Sequence, residues 1–289
     1  MICAENAKRP QAGTGRAALA RERARQARAL LADCRLCAHA CGVNRLAGQT
    51  GRCRAGAETR FFSAQLEVAD EMELIPAFAV ALSGCDLRCD FCVTGAASWN
   101  PRAGEGLAAV QIAARARAAL AAGARTTMIL GGEPTIHLPG ALELVSFLPE
   151  EAKLVWKTNA HGSAAARELL DGMFDVWLAD YKFGNDACAG RLAGTADYLR
   201  PVRENLRWAN EHSRLIVRHL LLPGHGECCW RPAAEWLAAS LPGVAVSLRW
   251  GFWPAWRAAR HPELRATVSA AERDRAFGLA RELGLNLIS

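Results

Sequence analysis

"LIPAFAVALSGCDLRCDFCV" occupies residues 74–93: an apolar run, a Ser-Gly break, then Cys85, Cys89 and Cys92 within eight residues. The run over 74–82 is nine residues long with a proline inside. That is too short to span a bilayer and suits a strand covered on both faces. The rest of the chain repeats this rhythm. Further strand-like runs fall at 126–130, 154–158, 174–179, 215–222 and 244–248. Helical stretches lie between them near 107–122, 141–148, 164–170, 197–212 and 233–240, with a last one over 270–283. Such alternation predicts βαβ units and a parallel sheet. Six units are too few for a closed eightfold barrel. The expected fold is therefore α/β, an open partial (β/α)6 barrel of the TIM type with a cysteine-rich N-terminal extension. The expected divisions are a disordered stretch over 1–15, a helical and Cys-rich extension over 16–65, and the barrel with its C-terminal helix over 66–289.

The composition agrees with a folded core. The chain has 289 residues, 51% of them apolar, and a net charge of +6. At this length about 75% of the surface is buried without help from staples. The densest basic cluster, "RAALARERARQARALLADC" over 16–34, reads as a solvated helix face, with nucleic acid or an acidic partner as the lesser alternative. "MICAENAKRPQAG" has no apolar signal core, and no apolar run reaches membrane-spanning length, so a cytosolic protein with no membrane partner is expected. In a reducing compartment the eleven cysteines read as metal ligands or packed thiols rather than disulfides.

Ligands of α/β sheets bind at the carboxyl ends of the strands. The unusual sequences of this chain all fall there. The cysteine loop follows the first run, GGEPT (131–135) the second, KTNA (157–160) the third and DYK (180–182) the fourth. RHLLLPG (218–224) ends the fifth and RWGFWPAW (249–256) follows the sixth. Together they describe one pocket. Three thiolates on one loop can hold three corners of a [4Fe–4S] cluster and leave the fourth iron open; a zinc site completed by a distant residue, or packed thiols, is the alternative.

Cys-x3-Cys-x2-Cys after a first strand, with Phe91 before the last cysteine and Gly-Gly-Glu-Pro after the second strand, resembles the radical S-adenosylmethionine (radical SAM) superfamily. The resemblance implies that the open iron chelates the amino and carboxylate groups of S-adenosylmethionine. Reductive cleavage then yields a 5′-deoxyadenosyl radical that abstracts a hydrogen atom. It also implies a reductant such as flavodoxin or ferredoxin. On the same resemblance Gly131 and Gly132 receive the methionyl amino group with Glu133 and Asn159 nearby, and Phe91 rests against adenine. Asp180 and Lys182 look like the Asp-x-Lys pair that contacts S-adenosylmethionine in glycyl-radical-enzyme activases. His219 shares the phase of Leu215 and Val217, which suggests an inward ring facing the cofactor, with a satisfied core histidine as the alternative.

The layout from about Cys34 onward, with "CRLCAHACGVNRLAGQTGRC", "GGEPTIHLPGALEL", "RLIVRHLLLPG" and "VSLRWGFWPAWRAARHPEL", is similar to the pyruvate formate-lyase activating enzyme homologues. Three departures stand out. Val93-Thr94 replaces the usual Gln-Asn after the third cysteine. Arg249, Trp250 and their neighbours replace a Met-x-Gln-Tyr-like run. Lys157 stands where activases of this type carry an acidic residue that helps to hold a monovalent cation, so its ammonium is expected to substitute for that cation.

Cys34, Cys37, Cys41 and Cys53 lie in a turn-rich segment and supply enough thiols for a zinc site or a second cluster, with packed or partly free thiols as the alternative. Cys228 and Cys229 are adjacent, which argues against ligation of one metal, and with Cys188 they read as structural. The leading expectation is an enzyme that abstracts hydrogen from a protein or peptide. The alternatives are a radical SAM enzyme acting on a small molecule, nucleoside or RNA, with Trp250–Trp256 as stacking surface, and a non-enzymatic zinc protein.

Overall fold

The apolar runs become strands because each has a covered face on either side. In the computed structural model, which describes residues 15–289, the chain starts with α1 (Arg16–Ala29), β1 (Arg60–Glu67), β2 (Ala77–Leu82), the short α2 (Ala96–Trp99) and β3 (Glu105–Gly106). Next come α3 (Ala109–Ala121), β4 (Thr126–Gly131), α4 (Leu138–Val145), β5 (Leu154–Thr158), α5 (Ala164–Leu170) and β6 (Val176–Asp180). The last third holds α6 (Asp186–Ala193), α7 (Leu199–His212), β7 (Arg214–Leu220), α8 (Arg231–Ser240), β8 (Ala245–Arg249), α9 (Ala270–Glu282) and β9 (Asn286–Leu287). Cys3 and most of the stretch expected to be disordered over 1–15 lie outside the described residues.

The nine strands form one sheet in the order β3-β1-β2-β4-β5-β6-β7-β8-β9. β1 runs antiparallel to both β2 and β3, and every pairing from β2 to β9 is parallel. Because β3 and β9 are the two ends, the barrel is open. The six expected βα units are β2, β4, β5, β6, β7 and β8 with their helices. β1 is an addition. It pairs with β2 along its length, so the boundary drawn after residue 65 falls inside a strand of the sheet.

Two apolar layers hold the sheet. Phe78, Ile129, Trp156, Trp177, Leu215, Val217 and Val246 pack outward under the helices. Leu74, Ala77, Met128, Val155, Val176, Leu178 and Ile216 form a floor on the inner face. Side chains alternate along a strand, so the next inward positions are Lys157 on β5, Asp180 on β6, Arg218 on β7, and Ser247 and Arg249 on β8. An apolar floor thus carries a charged layer. In register, Asp180 pairs with Arg218 and Leu220 with Arg249, which brings the strand ends level.

Candidate active site

A cavity of about 1430 Å³ opens along the inner face and the carboxyl ends of the strands. Cys85, Cys89, Cys92, Phe91, Gly131, Gly132, Lys157, Asn159, Asp180 and Lys182 all line it. Ten residues expected to hold a cluster or its ligand therefore meet in one space. Phe91 is buried and meets Phe183 edge-on at 6.0 Å, which fixes the ring.

The cysteine loop is held from several sides. The Arg88 and Asp90 amides donate to the Ala193 and Leu192 carbonyls at the end of α6, both at 2.9 Å. His261 Nε2 lies 2.9 Å from Asp90 Oδ2. The Gly-Gly pair at the end of β4 is demanded by backbone packing at this loop. Gly131 has φ +148°, and a Cβ there would collide with Leu82 backbone atoms; one at Gly132 would collide with the Gly84 carbonyl. The Gly132 and Glu133 amides donate to Leu82 and Gly84 carbonyls at 2.9 Å. These glycines therefore set the entry to the cysteine loop as well as lining the cavity.

Glu133 is buried and does not line the cavity. Its Oε1 accepts from the Thr135 amide (3.0 Å), the Thr135 hydroxyl and the Thr158 hydroxyl (2.7 Å), and its Oε2 from the Asn159 amide (2.7 Å). It ties the end of β4 to the end of β5. Burial and the neighbouring Asp86 charge push its carboxyl up to about 7. Asn159 in turn donates to Asp86 Oδ1 at 2.7 Å and reaches Cys85 Sγ at 3.7 Å. Asp86 also meets His161 Nδ1 at 2.7 Å, with His39 Nε2 against its carbonyl at 3.2 Å. Burial opposes the ionised Asp86, but the His161 bond and charge outweigh it and hold the carboxyl low. Asp86, His161 and His39, all unremarked in the sequence, thus form a polar buttress behind Cys85.

The charged layer carries a second surprise. The β1–β2 connection sends Asp70 and Glu71 into the barrel from below. Asp70 pairs with Lys157 Nζ and, at 3.1 Å, with Arg218. Glu71 accepts from Ser247 Oγ at 2.8 Å and lies 3.0 Å from Arg249 and 3.5 Å from Arg218. Burial opposes ionisation of Asp70, yet its bond with Glu71 and the Lys157 and Arg218 charges hold its pKa well below the usual range. Burial, with Asp70 alongside, raises Glu71. Lys157 therefore carries its own counterion. Nearer the mouth, Asp180 pairs with Lys182. Burial works against both charges, but mutual attraction lowers Asp180 and, with Cys89, raises Lys182.

His219 departs from expectation. Its phase is that of Leu215 and Val217, but those residues face the outer helical layer, so its ring points away from the cavity. It is buried against Trp230 (4.9 Å) with Nδ1 2.6 Å from the Tyr181 carbonyl, and burial pushes its pKa down to about 4. Arg218 is the inward residue. At the rim, Trp250 and Trp253 are 49% and 61% exposed, while Trp256, 46% exposed, packs outside the lining against Trp99. Thr94, one of the departures noted after the third cysteine, places its hydroxyl 3.2 Å from Cys92 Sγ.

The donor set fits a [4Fe–4S] cluster. Three thiols of one loop line one wall, and no other cysteine lines the cavity. Among the described residues the cysteines that converge within 4.8 Å on a single point are elsewhere, at Cys188, Cys228 and Cys229. Cys85, Cys89 and Cys92 are spaced more widely, as ligands to separate irons must be. Burial pushes the Cys89 thiol up to about 12 and raises Cys85 as well, a cost that cationic iron offsets. Cys34, Cys37, Cys41 and Cys53 likewise do not converge as single-ion ligands do. Cys34 accepts from Arg45 at 3.6 Å and Cys41 from the Arg52 amide at 3.4 Å.

Residues 80–237 match the family model described as the radical SAM superfamily, more than half of the chain. The chain belongs to the radical SAM superfamily. It is an enzyme, and membership implies a [4Fe–4S] cluster, S-adenosylmethionine and a reductant; the non-enzymatic zinc reading is thereby set aside. Its sequence is 27% identical over 276 residues to an uncharacterized protein of Methanocaldococcus jannaschii, MJ0674, covering 91% of this chain and 78% of that one. Among solved structures, Streptococcus suis SuiB bound to S-adenosylmethionine superposes with a TM-score of 0.54 at 18% identity, over 70% of this chain. The chain spans 47% of SuiB. A radical SAM methyltransferase from Sphaerobacter thermophilus superposes with a TM-score of 0.52 at 18% identity, covering 72% of this chain and 64% of that one. These likenesses concern the fold. No described helix is long and apolar enough to cross a membrane.

Proposed function

We propose that this protein removes a hydrogen atom from a protein or peptide, in the manner of a glycyl-radical-enzyme activase. The observation that carries the reading is the single cavity where the cysteine loop, Gly131, Gly132, Lys157, Asn159, Asp180 and Lys182 meet beneath an exposed tryptophan rim. When bound there, the cluster and S-adenosylmethionine would supply the one-electron radical chemistry that hydrogen abstraction needs. The chain's own residues do the rest. Cys85, Cys89 and Cys92 would hold the cluster through their thiolates. The Asp180 carboxylate and the Lys157 and Lys182 ammonium groups offer one anionic and two cationic contacts, matching the amino and carboxylate groups of a bound amino acid. Phe91 gives an apolar wall for the adenine. Asp70, itself paired with Arg218, fixes the position of Lys157.

The substrate side supports a macromolecule. The lining of the cavity includes the exposed Trp250 and Trp253, the kind of residue that anchors peptides at interfaces. SuiB, which shares the fold, has been solved bound to its precursor peptide SuiA. A flavodoxin or ferredoxin is the proposed electron donor, and the cytosol the proposed compartment. We also propose that Cys34, Cys37, Cys41 and Cys53 hold a metal, either zinc or a second cluster.

The test is deuterium transfer. Backbone-deuterated peptides or candidate glycyl-radical proteins, incubated anaerobically with reduced enzyme and S-adenosylmethionine, should yield labelled 5′-deoxyadenosine. Label arriving only from nucleosides, RNA or other small molecules would overturn the peptide reading.

A further inference from the structure

The loops after β6 and β7 meet at a second cluster, distinct from the cavity. Cys188 lies in the first turn of α6, and His225, Cys228 and Cys229 lie between β7 and α8. All four ligand atoms are within 4.8 Å of one another. We propose that Cys188, His225, Cys228 and Cys229 bind one zinc ion in a closed tetrahedral site.

The edges of the polygon carry the argument. Zinc with Zn–S of about 2.3 Å and Zn–N of about 2.0–2.1 Å requires S···S edges of about 3.8 Å and S···N edges of about 3.5 Å. The observed S···S separations are 3.8 Å for Cys188–Cys228 and 3.9 Å for Cys228–Cys229. His225 Nδ1 lies 3.7 Å from Cys188 Sγ, 3.3 Å from Cys228 Sγ and 3.5 Å from Cys229 Sγ. Five edges thus agree with one tetrahedron. Sulfurs bound to different irons of a cluster could not approach so closely, and a donor set of three sulfurs and one nitrogen suits zinc.

Two further observations point the same way. Adjacent cysteines normally diverge, which is why the sequence argued against them as joint ligands. Here residues Gly226–Trp230 form a π-helical turn, and the His225 carbonyl accepts from both Cys229 (3.0 Å) and Trp230 (3.2 Å) amides. This widened turn aims both sulfurs at one point; such turns concentrate at functional sites. The outer surroundings are also polar. The far nitrogen of His225, Nε2, faces the Arg191–Glu263 ion pair, 3.6 Å from Glu263 Oε1 and 3.3 Å from the Arg191 guanidinium, with no hydrogen bond to the carboxylate. Asn185 Nδ2 donates toward Cys188 Sγ at 3.3 Å and to the Cys228 carbonyl at 2.6 Å.

With four protein ligands the site has no open position, so its role is structural. It would pin α6, whose last carbonyls hold the Arg88 and Asp90 amides of the cysteine loop, to the turn after β7. It is a positioning device for the cluster loop and for the Asp180–Lys182 segment that precedes α6.

Anaerobically purified full-length protein should contain about one zinc per chain. Zinc X-ray absorption should give a shell of three sulfurs near 2.3 Å and one nitrogen near 2.0–2.1 Å. Cys41→Ser should keep that zinc, and Cys228→Ser should lose it together with much of the iron loading. His225→Cys should keep the ion and convert the shell to four sulfurs, which guards against a variant that merely misfolds. A four-sulfur shell in the wild type, iron at the site, or zinc well below stoichiometry would overturn the proposal. So would full zinc retention in Cys228→Ser.

Discussion

Asp70→Asn is expected to destabilise the barrel from within. The Asp70 side chain is 2% exposed and accepts from Lys157, from Arg218 at 3.1 Å and from the Glu71 amide at 3.1 Å. At an effective dielectric of about 20, one such contact is worth about 5 kcal/mol before desolvation is subtracted. Removing one partner of a buried pair costs about 3–5 kcal/mol. Lys157 and Arg218 keep 19% and 22% exposure, which favours the lower end. For 289 residues an unfolding entropy near 0.6 kcal/mol/K converts about 3 kcal/mol to a drop of roughly 5 °C in Tm. The sign with pH follows from the depressed Asp70 pKa. The stabilisation is present above the unfolded aspartate value near 3.9 and is lost as pH falls through the folded value below it. Thermal melts of reduced protein should therefore show the full deficit from pH 5 upward and a shrinking one below pH 4. Asp70→Asn/Lys157→Met, which removes both charges, should recover part of the loss. A Tm within 1 °C of wild type at pH 7, or a double variant as unstable as the sum of the singles, would refute the reasoning.

Four other outcomes are expected. Gly131→Ala should lower iron loading after anaerobic reconstitution, because its Cβ would displace the backbone leading into the cysteine loop. Asp180→Asn and Lys182→Met should each weaken S-adenosylmethionine binding by calorimetry about 10- to 150-fold, the worth of a charged hydrogen bond. For Glu133 the gap between about 7 and the free value of 4.5 corresponds to roughly 3 kcal/mol. Its folded form keeps the proton longer, so wild-type stability should fall as pH rises from about 4.5 to 7, and denaturation of Glu133→Gln should show a flatter profile there. Finally, if the Lys157 ammonium replaces a monovalent cation, potassium and sodium should not stimulate wild-type turnover, while Lys157→Ala should lose activity; cation-stimulated wild-type turnover would count against it.

Much of this was legible because the chemistry and the fold share addresses. Strands with two apolar faces read as continuous runs, and their unusual sequences all sit at the carboxyl ends. β1 has no clear signature in the sequence because RFFSAQLE is mostly half-buried without strict alternation and is bulged between Phe61 and Ser63. α6 is short and carries an internal glycine. His219 was misplaced for a physical reason: period-two alternation groups residues by face, but with both faces apolar it does not say which one is inside. Asp70 and Glu71 resemble any acidic loop until β7 and β8 bring cations to them. The Cys228–Cys229 pair needed a π-turn, which leaves no simple sequence signature.

The acidic intrusion of Asp70 and Glu71 also bears on modularity. The segment that matches the superfamily, 80–237, contains Lys157 and Arg218 but neither acid, and Arg249 lies just beyond it. A graft of these strands onto another scaffold would bring cations without their neutralising partners. Electrostatically, the barrel is complete only together with the chain that precedes its first parallel strand. Donor and recipient in any chimera would have to exchange the β1–β2 connection as one unit with the strands it serves.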